Sequence, residues 1–465
     1  MSTPNPSHVI LITTLAMYQT EFWAKIGIQL KRCGHNVAFL SFDDRSSELL
    51  KSLGLETFAA TEEELVTDTS DATFEKTLSR YGITDINYWF SHERITFGIS
   101  DSQELRRKLM AYLSFADRAC SALLESGRDV TMVQELGGFI SVIASFFAAR
   151  KHGIDNWFIE PAFFKGRIFF LKNSFAALRF EKLNPTSVSA DVSDYLDRTL
   201  ESGAIVVPQK DRHQYTTAFR KVINFRNLRR LAEKLIDKYI KGKHHEFGYI
   251  GRHVSVHGRM LLNSFRLRGN YTALADIRKF VYYPLHVPAD MALTLRSPHY
   301  LDQLALVDYM ARIVPHTHLI AIKEHPAMIG AIDAGRLLEL LHRYDNVALL
   351  PPSTNNYEVI KAADCLISIN SKSGAEATLL GKPVFVLGDA FYRGAPLVTA
   401  VDRLSDLPQL LSNRIGEATL AQSEELIGRY FEKVWRHCYQ GELYVTDPDN
   451  IERFALSMIK ATKQN

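Results

Sequence analysis

The stretch Cys365-Leu-Ile-Ser-Ile-Asn370-Ser371-Lys372-Ser373-Gly374-Ala-Glu376-Ala reads as an apolar strand, a loop of small polar residues and a helix start. Such a junction aims unpaired backbone N–H groups and the positive end of a helix at whatever lies in front of it. It is a seat for an anion such as a phosphate. Ser371 and Ser373 add hydroxyl donors, Lys372 adds charge, and Asn370 opens the loop. The plainer alternative is a capping box in a helix beginning near Gly374, with Ser373 as N-cap and Glu376 reaching back to it. Capping, however, needs neither paired serines nor a strand-end histidine nearby.

That histidine is His325, in Ile322-Lys323-Glu-His325-Pro326. Pro326 stops simple continuation of a strand over His318–Lys323 and biases His325 toward extended backbone. An imidazole held there can donate to a phosphate oxygen, with Lys323 supplementing it. The competing reading is a histidine that only ties the backbone. Two carboxylates complete the set: Asp290, after the first strand of the second half, and Glu160, which ends a strand in Trp157-Phe-Ile-Glu160-Pro161. Glycosyl transfer uses such a pair in different environments, one to meet the electron-poor sugar carbon and one to manage the acceptor's hydroxyl proton. Position alone equally allows a loop cap or a solvated turn. Glu135, ahead of Gly137-Gly138, is a weaker candidate of the same kind, with a plain helix start as its alternative.

The elements that must hold these groups alternate. His8–Thr14 is an apolar run of buried-strand type, a helical stretch covers about Thr20–Cys33, and a second strand spans Val37–Phe42. Further strands fall at Asp129–Glu135, Asn156–Glu160 and Ala204–Pro208, with a helix over Leu105–Leu124. The basic stretch looks helical over Phe225–Tyr239 and then broken at Gly242, Gly248, Gly251 and Gly258. A second series places strands at Lys279–Pro284, His318–Lys323, Val347–Leu350, Cys365–Ile369 and Val384–Leu387. Helices over Tyr300–Ile313, Ile332–Arg343 and Ala375–Leu380 alternate with them. The expectation is an α/β chain of two Rossmann-type doubly wound halves facing a cleft, residues 1–270 and 271–418, with helices over 419–465 packing back.

Composition narrows the function classes. The 465 residues are 46% hydrophobic and 23% charged, which excludes a disordered chain. A formal charge of +3 is too balanced for a dedicated nucleic-acid binder. Yet residues 210–268 hold 15 Lys and Arg against four acidic residues, so this segment carries +11 and the rest −8. Usually that is a solvated face; otherwise it is a contact for anionic lipid or an acidic polymer. Cys33, Cys120, Cys365 and Cys438 stand singly and read as reduced thiols. The first residues lack a signal-peptide pattern and no apolar run approaches a membrane span, so a cytoplasmic protein is expected. No metal site is expected: Asp43-Asp44 is not a spaced pair, and His244-His245 has no partnered carboxylate in its Lys-rich stretch. Dinucleotide, P-loop and hydrolase motifs are missing from their strand-loop-helix contexts.

Lys323-Glu-His325-Pro326, Ser371-Lys-Ser373-Gly-Ala-Glu376-Ala, Gly381-Lys-Pro383 and Phe391-Tyr392-Arg-Gly394 together resemble the bacterial capsule-polysaccharide synthesis proteins, whose characterised members are retaining β-Kdo glycosyltransferases. Glu160-Pro-Ala-Phe-Phe-Lys-Gly166-Arg167 and Val287-Pro-Ala-Asp290 are similar, more loosely, to the family segments bearing its carboxylates. Leu285-His286-Val287-Pro288 departs from the Gln and acidic residues that many members carry there.

The resemblance implies a GT-B fold, CMP-Kdo as donor substrate, no cofactor or metal, and double displacement. By it Asp290 attacks the anomeric carbon and Glu160 is the acid/base. Donor binding falls to Lys323, His325, Asn370, Ser371, Lys372, Ser373, Gly374 and Glu376, with Glu135 and Arg167 as acceptor-side candidates. The expected product is an extended surface glycan or glycolipid of capsule or lipopolysaccharide type. It would be made in the cytoplasm, with an anionic membrane surface touching 210–268. The rivals are a nucleotide-sugar 2-epimerase of the same fold and a non-catalytic glycan-binding scaffold.

Overall fold

The structure is a computed structural model that describes residues 7–60, 68–180, 185–202, 240–415 and 420–463. The first half holds β1 (His8–Thr14), β2 (Asn36–Ser41), β3 (Glu56–Ala59), β4 (Asp129–Glu135), β5 (Asp155–Pro161) and β6 (Arg167–Lys172). The second holds β7 (Phe280–Pro284), β8 (Leu319–Lys323), β9 (Val347–Leu350), β10 (Cys365–Ser368), β11 (Val384–Val386) and β12 (Val398–Ala400), and β13 (Tyr439–Gln440) follows. One sheet runs β13-β6-β5-β4-β1-β2-β3 and the other β12-β11-β10-β7-β8-β9. The second is parallel throughout, whereas β6 and β13 join the first antiparallel.

Both sheets are of the expected doubly wound kind. The strands are apolar along their whole length because helices cover both faces: all five residues of β7 and all but the first of β1 are buried. Strand order reverses between β1 and β4 in one sheet and between β7 and β10 in the other. Crevices open outside the carboxyl ends of strands at such points. Those ends meet each other: Glu160 and Ala162, at the end of β5, touch Arg296 and Lys372 after β7 and β10, and the segment that follows β6 reaches Arg296 and Asp389 as well. The cleft is therefore a contact between halves.

The C-terminal helices do pack back, onto the first half. Phe454, in the Pro448–Lys463 helix, lies edge-on to Phe22 and Trp23 at 5.1 and 5.7 Å. Phe431, in the Leu420–Arg436 helix, stacks on Phe163 at 5.1 Å. The antiparallel β6 escaped the sequence reading. Gly166, at φ +70°, turns the chain back after β5, a conformation that costs glycine little.

Three other expectations change or fall away. The strand at Ala204–Pro208 and the helix at Phe225–Tyr239 lie outside the described residues. The breaks at Gly251 and Gly258 do not occur, because a helix runs over Ile250–Arg266. Glycine costs a helix about 1 kcal/mol, and here tertiary anchors outweigh that. Tyr249 and His253 pack on Phe97 at 4.6 and 5.2 Å, while Asn263 Nδ2 donates to the carbonyls of Gly330 and Ile332, each at 3.0 Å. The helix thus touches both halves. Finally, His245 has a carboxylate partner after all: its Nδ1 lies 2.5 Å from Asp43 Oδ2, through a bridge across 202 residues. Proximity in sequence could not show it.

Candidate functional site

The residues expected to form an anion seat stand at the ends of β7, β8 and β10. Pro284 and Lys323 are register partners at the ends of β7 and β8, and the ladder runs one step further as Leu285 N donates to Lys323 O. His286 and His325 follow on the two chains. His325 is extended (φ −67°, ψ 127°), as the proline after it dictates, and its Nδ1 accepts from Ala327 N at 3.2 Å. An accepting Nδ1 keeps the neutral ring's proton on Nε2, the atom suited to donate to an anion. Glu324 closes the loop behind it, taking Gly330 N at 2.9 Å, and burial pushes this carboxyl up to about 7.

The loop after β10 differs from the capping-box expectation. Ser371, not Ser373, is the N-cap of the Lys372–Leu379 helix, and its hydroxyl accepts from Ser373 N at 3.3 Å. Ser371 N in turn donates to Ser368 Oγ at 3.0 Å. Glu376 does not reach back; it is buried and accepts from Asn356 Nδ2 at 2.8 Å, while the same amide donates to Ser373 Oγ at 3.1 Å. Asn356 comes from the neighbouring crossover helix, and its capture of both side chains is why the local box fails. Burial pushes Glu376 up to about 7 and pulls nearby Lys323 down to about 8. Gly374 is required by packing: a Cβ there would stand 2.4 Å from the Tyr392 ring. Tyr392 OH also donates to Ser368 Oγ at 3.1 Å, tying the Phe391-Tyr392 motif to the seat.

Asp290 and Glu160 come from opposite halves, and Arg296, six residues beyond Asp290, joins the Asp290 segment to Glu160. Arg296 pairs with both Glu160 oxygens, Nη1 to Oε2 at 3.0 Å and Nη2 to Oε1 at 3.2 Å. Its Nε donates to Phe175 O at 2.7 Å. Asp290 caps the short Met291–Thr294 helix, Oδ1 accepting from Ala292 N at 2.9 Å, with its side chain exposed. Its charge acts on Arg296, His92 and His286. Asn370 Nδ2 fixes this segment to the β10 loop through Ala292 O at 2.6 Å and Ser297 Oγ at 3.1 Å.

The first half grips the same segment. Tyr88 OH donates to Leu295 O at 2.5 Å, and His92 Nδ1 lies 2.9 Å from Thr294 Oγ1. Burial pulls His92 down to about 4, so its ring is neutral. Gly138 makes room for it, since a Cβ there would fall 2.5 Å from the ring. Lys372 Nζ crosses to Ala162 O at 3.1 Å.

Two candidates are held elsewhere. Glu135 accepts from Gln19 Nε2 at 3.2 Å and from Tyr444 OH. Arg167 lies flat on the Trp435 ring, 3.5 Å from its centroid. Sequence reasoning missed Arg296, His92, Ser368 and Asn356, and only Arg296 left a trace, as a cation six residues beyond Asp290. Among the described residues, no group of three His, Cys, Asp or Glu is placed to hold a metal ion, and no helix is long and apolar enough to cross a membrane.

A family model described as capsule polysaccharide biosynthesis protein matches residues 143–406, more than half of the chain, and spans Glu160, Asp290, Arg296, His325 and the Ser371–Glu376 loop. Protein FixF of Sinorhizobium fredii (strain NBRC 101917 / NGR234) is 31% identical over 137 residues, which cover 29% of this chain and 33% of that protein. The match thus spans about a third of the relative's length. Among solved structures, Thermosulfurimonas dismutans KpsC, beta Kdo 2,7 transferase, is 14% identical with a TM-score of 0.34, over 80% of this chain and 95% of that one. The UDP-GlcNAc 2-epimerase from Neisseria meningitidis bound to UDP-GlcNAc is 15% identical with a TM-score of 0.26, over 98% and 99%.

Proposed function

This chain belongs to the capsule polysaccharide biosynthesis protein family, and from that premise we propose that it is a retaining glycosyltransferase moving a Kdo-type sugar from CMP-Kdo to a surface glycan or glycolipid. The observation that carries the reading is the bidentate pair of Glu160 with Arg296 across the two halves, on the segment that begins at Asp290 and that Asn370 ties to the serine-capped helix. In the first step an Asp290 oxygen bonds to the anomeric carbon while the bond to the CMP phosphate breaks, its electron pair leaving on the phosphate. His325 Nε2–H and the Ser371 and Ser373 hydroxyls meet that charge. In the second step the Glu160 carboxylate takes the acceptor's hydroxyl proton as the acceptor oxygen displaces Asp290, and two inversions give retention. The departing CMP bears one phosphate where a nucleoside diphosphate bears two, so in this reading protein donors carry the leaving group's charge without a divalent ion.

The work is done at an anionic membrane surface, where the glycolipid acceptor resides. The Ile250–Arg266 helix supports this: Val254, Leu262 and Phe265 are 55, 67 and 67% exposed, alongside exposed Arg259 and Arg266. The test is incubation with CMP-Kdo and an acceptor carried in phosphatidylglycerol vesicles. Transfer with release of CMP is expected. Epimerisation of a UDP-sugar, or binding without turnover, replaces the reading, and failure of the protein to sediment with those vesicles at low salt removes its membrane part.

Lys323 gives a pH dependence. Burial favours its neutral form and an arriving phosphate favours the charged one, so binding takes up a proton. CMP affinity is full below about pH 8 and falls above it, by up to about tenfold per unit. Calorimetry from about pH 7 to about pH 9.5, in buffers of different ionisation heat, reads this directly. A flat profile takes Lys323 out of the seat.

A further inference from the structure

We propose that His286 is a second imidazole of the anion seat, donating through Nε2 to the same donor phosphate that His325 meets. The inference rests on the glycosyltransferase reading and names a ligand contact that neither the motifs nor the resemblance assigns.

His286 is only 7% exposed, and its Nε2 is buried without a hydrogen-bond partner. An orphaned buried ring nitrogen is costly, and folded proteins rarely keep one without a reason. The surroundings make chance placement hard to sustain. Gln303, itself buried, gives both ends of its amide to the His286 peptide: Oε1 accepts from His286 N at 2.7 Å and Nε2 donates to His286 O at 3.0 Å. The backbone is clamped while the ring nitrogen is left unsatisfied.

Register then says where the ring stands. Pro284 pairs with Lys323, and Leu285 N bonds Lys323 O, so His286 and His325 each lie two residues beyond the paired positions, at the ends of adjacent parallel strands. Asp290 follows four residues later on the same loop. Electrostatic coupling of His286 to both His325 and Asp290 agrees with that placement. Burial pulls His286 down to about 4, so the ring is neutral and contributes an N–H without adding a fixed charge beside the nucleophile. A phosphate oxygen reaching that N–H satisfies the orphan, and two rings on neighbouring strands can grip one tetrahedral anion from two sides.

The experiment measures CMP affinity by calorimetry and thermal stability for the wild type, H286F, H286Q and H325A, with H286L in reserve should the Phe ring not fit. Losing a donor to a charged oxygen is expected to weaken CMP binding about tenfold to hundredfold in H286F. H286Q keeps an N–H near the Nε2 position and is expected to stay within about threefold of the wild type. Because H286F removes an unsatisfied polar atom, its melting temperature should hold or rise while affinity falls, and a residue that merely supported the fold would move both downward together. Unchanged affinity in H286F and H286L, with H325A weakened, overturns the role of His286 and leaves the glycosyltransferase reading intact. A wild type that does not bind CMP overturns that reading itself.

Discussion

Asp290→Asn should lower the rate of sugar transfer by on the order of 10⁴-fold while the protein melts at its normal temperature. The two halves of this expectation have separate causes. Asp290 holds the Met291–Thr294 helix by accepting from Ala292 N, and asparagine caps a helix as well as aspartate does, through the same oxygen. The side chain is exposed, so little packing is at stake. What asparagine lacks is a nucleophilic carboxylate. Without it the covalent step has no electron pair to offer, and only binding and orientation remain. Steady-state transfer measured beside CMP affinity separates these terms: turnover should collapse while affinity stays within a few-fold. Turnover close to the wild-type value would exclude Asp290 as nucleophile and return Glu160 to consideration.

Arg296→Met should be the most destabilising single change at the site, at about 3 kcal/mol, and should also abolish transfer. The Arg296 and Glu160 side chains are 9 and 18% exposed, so removing the guanidinium leaves a largely buried carboxylate without its counter-charge. The Phe175 carbonyl loses its donor as well. Methionine keeps the apolar stem, so the effect reports charge and hydrogen bonding rather than a void. Since Arg296 belongs to the second half and its partners to the first, the loss also loosens the cleft. A double variant with Glu160→Gln, which removes the stranded charge, should regain part of the stability and none of the transfer. Denaturant unfolding of the two single variants and the double gives the coupling energy. Additive single effects would show that the pair is not a working contact.

Much of the site was legible because its signals are local. Pro326 restricts the residue before it, and His325 is extended as that rule requires. The apolar runs at His8–Thr14, Asp129–Glu135 and Val347–Leu350 coincide with β1, β4 and β9, since a strand buried on both faces leaves no other pattern. The cap at the anion seat was harder. Ser371 and Ser373 are equivalent in type and two positions apart, and the choice was made by Asn356, which engages Ser373 and Glu376 from another helix. The Ile250–Arg266 helix carries two glycines that argue for breaks, and contacts to Phe97 and Gly330 overrule them.

From the amino-acid order alone came the two doubly wound halves and the candidate residues for a phosphate seat and for catalysis, because periodicity, proline and glycine act over a few residues. Tertiary structure alone decided which of those side chains work together. Glu160 and Arg296 are separated by 136 residues, and His92 and Thr294 by 202, and each pair forms only because folding brings the ends of two sheets into contact. Charge pairing between distant segments leaves no periodic trace in a chain, since its cost and its gain are settled when both groups leave water together.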